Sequence, residues 1–117
     1  MADAESYLPL PHLAFQVLLS LAEQDRHGYA IVKDVAARGD SGSTPSTGSL
    51  YLSIARLLEN GLVAELAPTE GRRRTYTLTP LGRQVARAEA ERLDALVSVA
   101  RTRELLLHDG ERSGAGK

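Results

Sequence analysis

The sequence predicts a mainly α-helical fold with a single small β-hairpin, in the order of three short helices, the hairpin and one long C-terminal helix. Apolar residues recur at helical spacing in four stretches, and two short β-prone runs flank the Gly- and Arg-rich segment "PTEGRR" between the third and the fourth. With 117 residues, 43% hydrophobic and 25% charged, the chain is long enough for one modest core and has the composition of a soluble globular domain.

In "PHLAFQVLLSLAE", Leu13, Val17, Leu18 and Leu21 fall on one side of a first helix. "QDRHG" interrupts it. Ile31, Val32, Val35 and Ala36 then form the apolar face of a second, short helix from Tyr29 to Arg38, ended by Gly39. "GDSGSTPS" reads as a polar connection. Ser46 is placed to cap a third helix, in which Leu50, Ile54, Leu57 and Leu58 follow the i, i+4, i+7, i+8 pattern of a core-facing stripe. Asn60 or Gly61 suits its left-handed ending. "LVAELA" and "RTYTL" are the two strands of an antiparallel hairpin. Thr79 as cap and Pro80 at the first helical position open a last helix that the helix-forming composition carries to about Leu107.

Three short helices followed by a two-stranded hairpin is the order of a winged helix-turn-helix, in which the third helix enters a groove of DNA and the hairpin is the wing. The predicted organisation is a winged helix-turn-helix DNA-binding domain over residues 8–80, a C-terminal dimerisation helix over residues 81–107 and a disordered tail over residues 108–117.

Charge is distributed to match. The net charge is −1, yet between Gly71 and Ala88 the chain carries Arg72, Arg73, Arg74, Arg83 and Arg87 and no acidic residue. Like charges on a hairpin tip repel, and each guanidinium favours an anion. A nucleic-acid backbone supplies a regular row of them, and neutralising it releases counterions. On the third helix, a turn of about 100° per residue sets Ser49, Leu52, Arg56 and Glu59 opposite the core stripe. Small residues there admit DNA closely, Arg56 reaches a guanine edge or a phosphate, and Leu52 presents an apolar surface to thymine methyls. The plainer reading keeps Ser46 and Ser49 as caps and Arg56 as a solvated residue.

The last helix carries Leu81, Val85, Ala88, Leu93, Leu96, Val97 and Ala100 near helical spacing and extends far past the small domain before it. A second copy of the chain is its simplest partner, so a homodimer is expected, with Val85, Leu93, Leu96, Val97 and Ala100 at the interface. Packing across its own first helix is the other use of this stripe. Two-fold symmetry predicts a pseudo-palindromic operator of double-stranded DNA.

Other classes find no support. There is no cysteine, and His12, His27 and His108 are scattered without carboxylates at ligand spacing, so no metal site is predicted. No phosphate loop, nucleophile motif or cofactor motif is present, and no enzymatic activity is expected. No apolar run approaches a membrane span and no basic leader precedes an apolar stretch, so a cytoplasmic protein is expected.

Three stretches also resemble the PadR family of bacterial transcription regulators over roughly residues 8–85. "RHGYAIVKDV" resembles the family's His-Gly-Tyr turn into the second helix, "PSTGSLYLSIARLLENGLV" its recognition helix and entry into the wing, and "GRRRTYTLTPLGR" its Arg-rich wing. The short C-terminal part is similar to that of the smaller subfamily, which has a single dimerisation helix. The resemblance implies a homodimeric winged helix-turn-helix repressor that occupies operator DNA and releases it when a small hydrophobic or phenolic effector binds. It puts Ser46, Thr47, Ser49, Tyr51 and Arg56 on the recognition helix and Arg72, Arg73 and Arg74 in the wing. It also makes Tyr29 a candidate for backbone contact, with its ring expected in the core. Ser49 and Leu52 stand where the family has Thr and Pro, which opens a different base preference. With no Trp and a single Phe in the chain, an effector pocket would be mostly aliphatic. Two readings of other kinds stay open: a winged helix that binds protein through Leu52 and dispenses with the arginines, and a small-molecule sensor with weak DNA binding.

Overall fold

The computed structural model describes residues 3–38, 46–67 and 73–107. The connection at 39–45, the hairpin tip with Arg72, and the tail at 108–117 lie outside them. A short 3-10 turn, Ala4–Tyr7, precedes α1 (His12–Glu23), β1 (Arg26–His27), α2 (Gly28–Ala37), α3 (Thr47–Glu59), β2 (Val63–Leu66), β3 (Thr75–Leu78) and α4 (Pro80–Thr102).

Helix α1 is the centre of the molecule and packs on α2, α3 and α4. Its Val17, Leu18 and Leu21 meet Ile31 and Val35 of α2, Leu50, Ile54 and Leu57 of α3, and Val85 of α4 in one buried cluster, closed on the sheet side by Leu62, Val63 and Tyr76. Burying a Val or Leu side chain is worth about 1.5–3 kcal/mol, so this cluster dominates the stability of the fold.

The sheet differs from the expected hairpin by one strand. Its order is β1-β3-β2, all antiparallel, with Arg26 opposite Tyr76 and His27 opposite Thr75 on one side and Glu65 opposite Tyr76 on the other. The segment read as an interruption after the first helix is thus a two-residue strand. It is anchored where Arg26 Nε donates to the Ser20 carbonyl (3.0 Å) and Thr77 Oγ1 donates to Asp25 Oδ1 (2.6 Å). Two polar residues have no periodicity to betray a strand, and their pairing partners lie about fifty positions away.

Both helix starts expected from capping residues are present. Ser46 Oγ accepts from the Ser49 amide at 3.1 Å, and Thr79 Oγ1 accepts from the Gly82 amide at 2.9 Å. Helix α3 ends on Gly61, whose φ of 76° places it in the left-handed region while the Leu62 amide bonds back to the Leu57 carbonyl at 3.0 Å. Helix α4 stops at Thr102, short of the expected Leu107. It uses the same closure without a glycine: Glu104 takes a φ of 65° and the Leu105 amide returns to the Ala100 carbonyl at 2.8 Å.

The N-terminal segment lies on α4. There the Glu89 carboxylate, 2% exposed, accepts two hydrogen bonds from Arg92 (2.9 and 2.8 Å) and one from the Leu10 amide (3.4 Å). The hydrogen-bonded Arg92 guanidinium, joined by the Leu10 amide and opposed by burial, holds the Glu89 carboxyl below its ordinary value. Its contribution is therefore complete above the unfolded value of about 4.3 and is lost as pH falls through the lower folded value. The Glu89→Gln variant is expected to melt at a lower temperature than the wild type at pH 7. The gap should narrow as pH falls through the lowered folded value, where the wild-type carboxyl is itself protonated. Melting curves of both proteins at pH 7 and down an acid series test this.

Candidate nucleic-acid interface

Helix α3 presents its two sides as its spacing requires. Leu50, Ile54 and Leu57 are buried, whereas Ser46, Thr47, Ser49, Tyr51, Leu52, Arg56 and Glu59 are exposed. Ser46 serves the cap, and its Oγ also lies 2.9 Å from Ser49 Oγ, so the two hydroxyls form one small polar start to the helix. Leu52 is 52% exposed at the middle of this face. Arg56 lies one turn further on, beside a cavity of about 180 Å³ walled by Tyr7, Leu10, Ala14, Leu57 and Leu62.

The β1–α2 turn stands next to α3, and Gly28 is what brings it there. The Tyr51 ring rests on Gly28 so closely that a Cβ at position 28 would sit 2.7 Å from Tyr51 Cε1. The contact turns Tyr51 away from the core stripe toward an open cleft of about 460 Å³ between the start of α2, α3 and the wing. Tyr29 and Lys33 line it from α2, Tyr51 from α3, and Arg73 and Arg74 from the wing, with Tyr76 beneath. Tyr29 was expected to pack its ring in the core; it is 65% exposed instead. Because Gly28 opens the helix, the next residue points outward, and the Lys33 ammonium one turn later stands 5.7 Å from the Tyr29 ring centroid.

The cleft is cationic. Among the described residues, neither Lys33 nor Arg73 nor Arg56 has a carboxylate partner. Arg74 has one, Glu65 Oε2 at 3.5 Å, in a pair whose arginine is 71% exposed and therefore weak. Arginines elsewhere behave differently: Arg26 and Arg38 are tied to Glu23, Asp34 and Gln16, and Arg92 to Glu89. No helix among the described residues is long and apolar enough to cross a membrane, and none of their His, Asp and Glu side chains gather as metal ligands.

The expected dimer residues divide in two. Val85 is fully buried in its own chain's core, because the first three turns of α4 pack against α1 and the entry to β2; it is not available to a second copy. Beyond Glu89 no residue of α4 is buried. Leu93, Val97 and Ala100 are half-buried, Leu96 is 56% exposed, and Val99 and Leu105 add to the uncovered apolar surface.

A core of three helices, an exposed face on the third, and a hairpin standing beside that face define a winged helix-turn-helix protein. Residues 17–88 match the family model of the transcriptional regulator PadR-like family, and the chain belongs to that family. An uncharacterized 37.1 kDa protein in transposon TN4556 of Streptomyces fradiae is 41% identical over 80 residues, which cover 68% of this chain and 22% of that protein. The chain thus spans about a fifth of the length of this curated relative. Among solved structures, a PadR family transcription regulator from Clostridium difficile superposes with a TM-score of 0.69 at 24% identity, covering 79% of this chain and 97% of its own. Bacillus subtilis PadR, solved in complex with operator DNA, superposes with a TM-score of 0.60 at 20% identity, covering 68% of this chain and 47% of its own. At these identities the two structures establish the shared fold.

Proposed function

We propose that this chain is a homodimeric, sequence-specific double-stranded DNA-binding regulator, a repressor that leaves its operator when a small hydrophobic or phenolic effector binds. The observation that carries the reading is the convergence of Tyr51, on the exposed side of α3, with Arg73 and Arg74 of the wing and Lys33 of α2 around one cleft that holds more cations than acids. Clustered charge of this kind acts over the Debye length of about 8 Å at physiological salt, so the overall charge of −1 does not oppose it. Ser49, Leu52 and Arg56 are the base-reading candidates on α3, and the wing arginines the backbone contacts. The operator-bound Bacillus subtilis relative supports the same use of the fold.

The homodimer follows from the outer half of α4. Its exposed Leu96 and Val99, with Leu93 and Val97 beside them, need an apolar partner that the described residues do not supply. A second α4 gives two α3 helices related by a two-fold axis, and half-sites about one helical turn apart.

Titration of a labelled duplex with the intact chain across a salt series tests the reading. Binding that weakens steeply with salt is expected. One observation favours a second reading: Leu52, 52% exposed, is a ready anchor for a protein partner. In that case duplex binding is absent at every salt concentration.

A further inference from the structure

We propose that the cavity of about 180 Å³ between the N-terminal segment, α1 and the second half of α3 binds a small organic acid with one apolar ring, and that the bound acid takes Arg56 away from DNA. The release role rests on the DNA-binding reading; the binding site itself does not. The cavity is separate from the cationic cleft and from the uncovered face of α4, since none of its lining residues comes from α2, the wing or α4.

The chemistry of the walls selects the occupant. Leu10, Pro11, Ala14, Leu57 and Leu62 make them apolar, and a dry cavity of about 150 Å³ is enough for a benzene ring. Four polar side chains stand around this space: Tyr7 from the N-terminal segment, and Ser53, Arg56 and Asn60 along one side of α3. Among the described residues none of the four side chains has a hydrogen-bond or ion-pair partner, and no carboxylate lines the cavity. The carbonyls of Arg56, Leu57 and Leu58 already accept the amides of Asn60, Leu62 and Gly61 at 3.0–3.1 Å, so the end of the helix does not occupy the Arg56 donors. An apolar pocket with a few convergent donors, one of them permanently charged, matches a ring that carries a carboxylate, which arginine holds through two parallel hydrogen bonds. A neutral ring would leave the guanidinium unused, and an acid without a ring would leave the apolar walls to water.

Arg56 belongs to two surfaces at once. It is exposed on the face of α3 that carries Ser49 and Leu52, and it borders the cavity. One guanidinium cannot hold a ligand carboxylate and a guanine edge or phosphate with the same donors. Acid and duplex therefore oppose each other, and by linkage each weakens the other by the same factor. Release by this route acts within the recognition helix and needs no movement of α4.

The probe is benzoate, with benzyl alcohol as an uncharged ring of similar size, each at matched ionic strength. Titrated into the intact, isotope-labelled chain without DNA, benzoate should give saturable amide shifts centred on Ala14, Leu57 and Leu62. It should bind at least about 10-fold more tightly than benzyl alcohol, and Arg56→Gln should remove that preference. Ala14→Leu builds apolar atoms into the space and should abolish benzoate binding while leaving duplex binding unchanged. Ala14→Val takes its place if melting curves show the leucine variant to be unfolded. Saturating benzoate should weaken binding of the wild type to its selected duplex at least about fivefold, and the cavity-filled variant should not respond. No saturable shift, shifts centred on Lys33, Tyr51 or the outer half of α4, or equal affinity for the two probes overturns the site. A cavity filled by benzoate with duplex affinity unchanged overturns the release role and leaves the DNA-binding reading standing. A wild type that takes benzoate in the cavity but binds no duplex overturns the release role together with that reading.

Discussion

Replacing Arg72, Arg73 and Arg74 together by alanine is expected to weaken duplex binding on the order of 10²-fold at physiological salt, and to flatten the salt dependence by up to about 2.7 per bound protomer. Among the described residues Arg73 has no acidic partner, and Arg74 shares only a long, exposed pair with Glu65. Neither supports the fold, so the melting temperature should stay close to that of the wild type. Phosphate contacts carry no sequence information, so the loss should be the same on a selected site and on random DNA. Ser49→Ala and Arg56→Ala, on α3, should instead reduce the preference for the selected site. Unchanged affinity in the triple variant would take the wing out of the interface.

Gly82→Ala is expected to cost about 3 kcal/mol or more of stability and to lower the melting temperature by about 10 °C. Gly82 lies in the first turn of α4, where that helix crosses the entry to β2. A Cβ there would sit 2.0 Å from the Leu62 carbonyl oxygen and 2.9 Å from both the Leu62 carbonyl carbon and Leu78 Cδ1. The obstacle is backbone, which cannot rotate away. The same carbonyl accepts the Thr79 amide at 3.2 Å, while Thr79 Oγ1 donates to the Gly61 carbonyl at 2.7 Å. Relieving the clash means moving α4 off the sheet, breaking these bonds and loosening Val85 in the core. Gly48 is the control: a Cβ would meet nothing within 4 Å, and alanine is the better helix former there by roughly 0.5–1 kcal/mol. Thermal unfolding of the two variants should therefore diverge, with Gly48→Ala no less stable than the wild type. A Gly82→Ala protein as stable as the wild type would mean that α4 does not rest on Leu62.

The contrast between these glycines shows where a sequence stops being informative. Periodicity disclosed α1, α2, α3 and α4 because each repeats its apolar residues along a single local helix. Ser46 and Thr79 disclosed two helix starts because a cap is made within three residues. Contacts across the chain left no such signal. Nothing local to Arg26 and His27 says that they pair with β3, and nothing around Gly82 says that a carbonyl from residue 62 lies against it. The end of α4 was hidden for a related reason, since Glu104 takes the left-handed position that a glycine would have advertised. Val85 reads as one more member of a dimer stripe until the first turns of α4 are found packed on α1.

The candidate site divides along the same line. Solvent exposure of Ser49, Leu52 and Arg56 follows from the helix period alone. The cleft does not, because it is built by Gly28 yielding space to a tyrosine 23 positions later and by the wing folding back beside α2. Lys33 becomes a candidate only in that setting, whereas the family resemblance alone already offered Tyr29. A glycine directly before a tyrosine at the start of a helix was the one available hint, and it pointed the ring the wrong way.

Selection from a pool of random duplex DNA by the intact chain, followed by rebinding of the enriched pool across a salt series, decides whether the protein reads an operator. A dimeric operator-binding regulator should yield an enriched pseudo-palindrome with half-sites about one helical turn apart, bound with a steep salt slope and at least about 10³-fold more tightly than the starting pool. A pool that gains no common sequence, with binding gone at physiological salt, would contradict that reading.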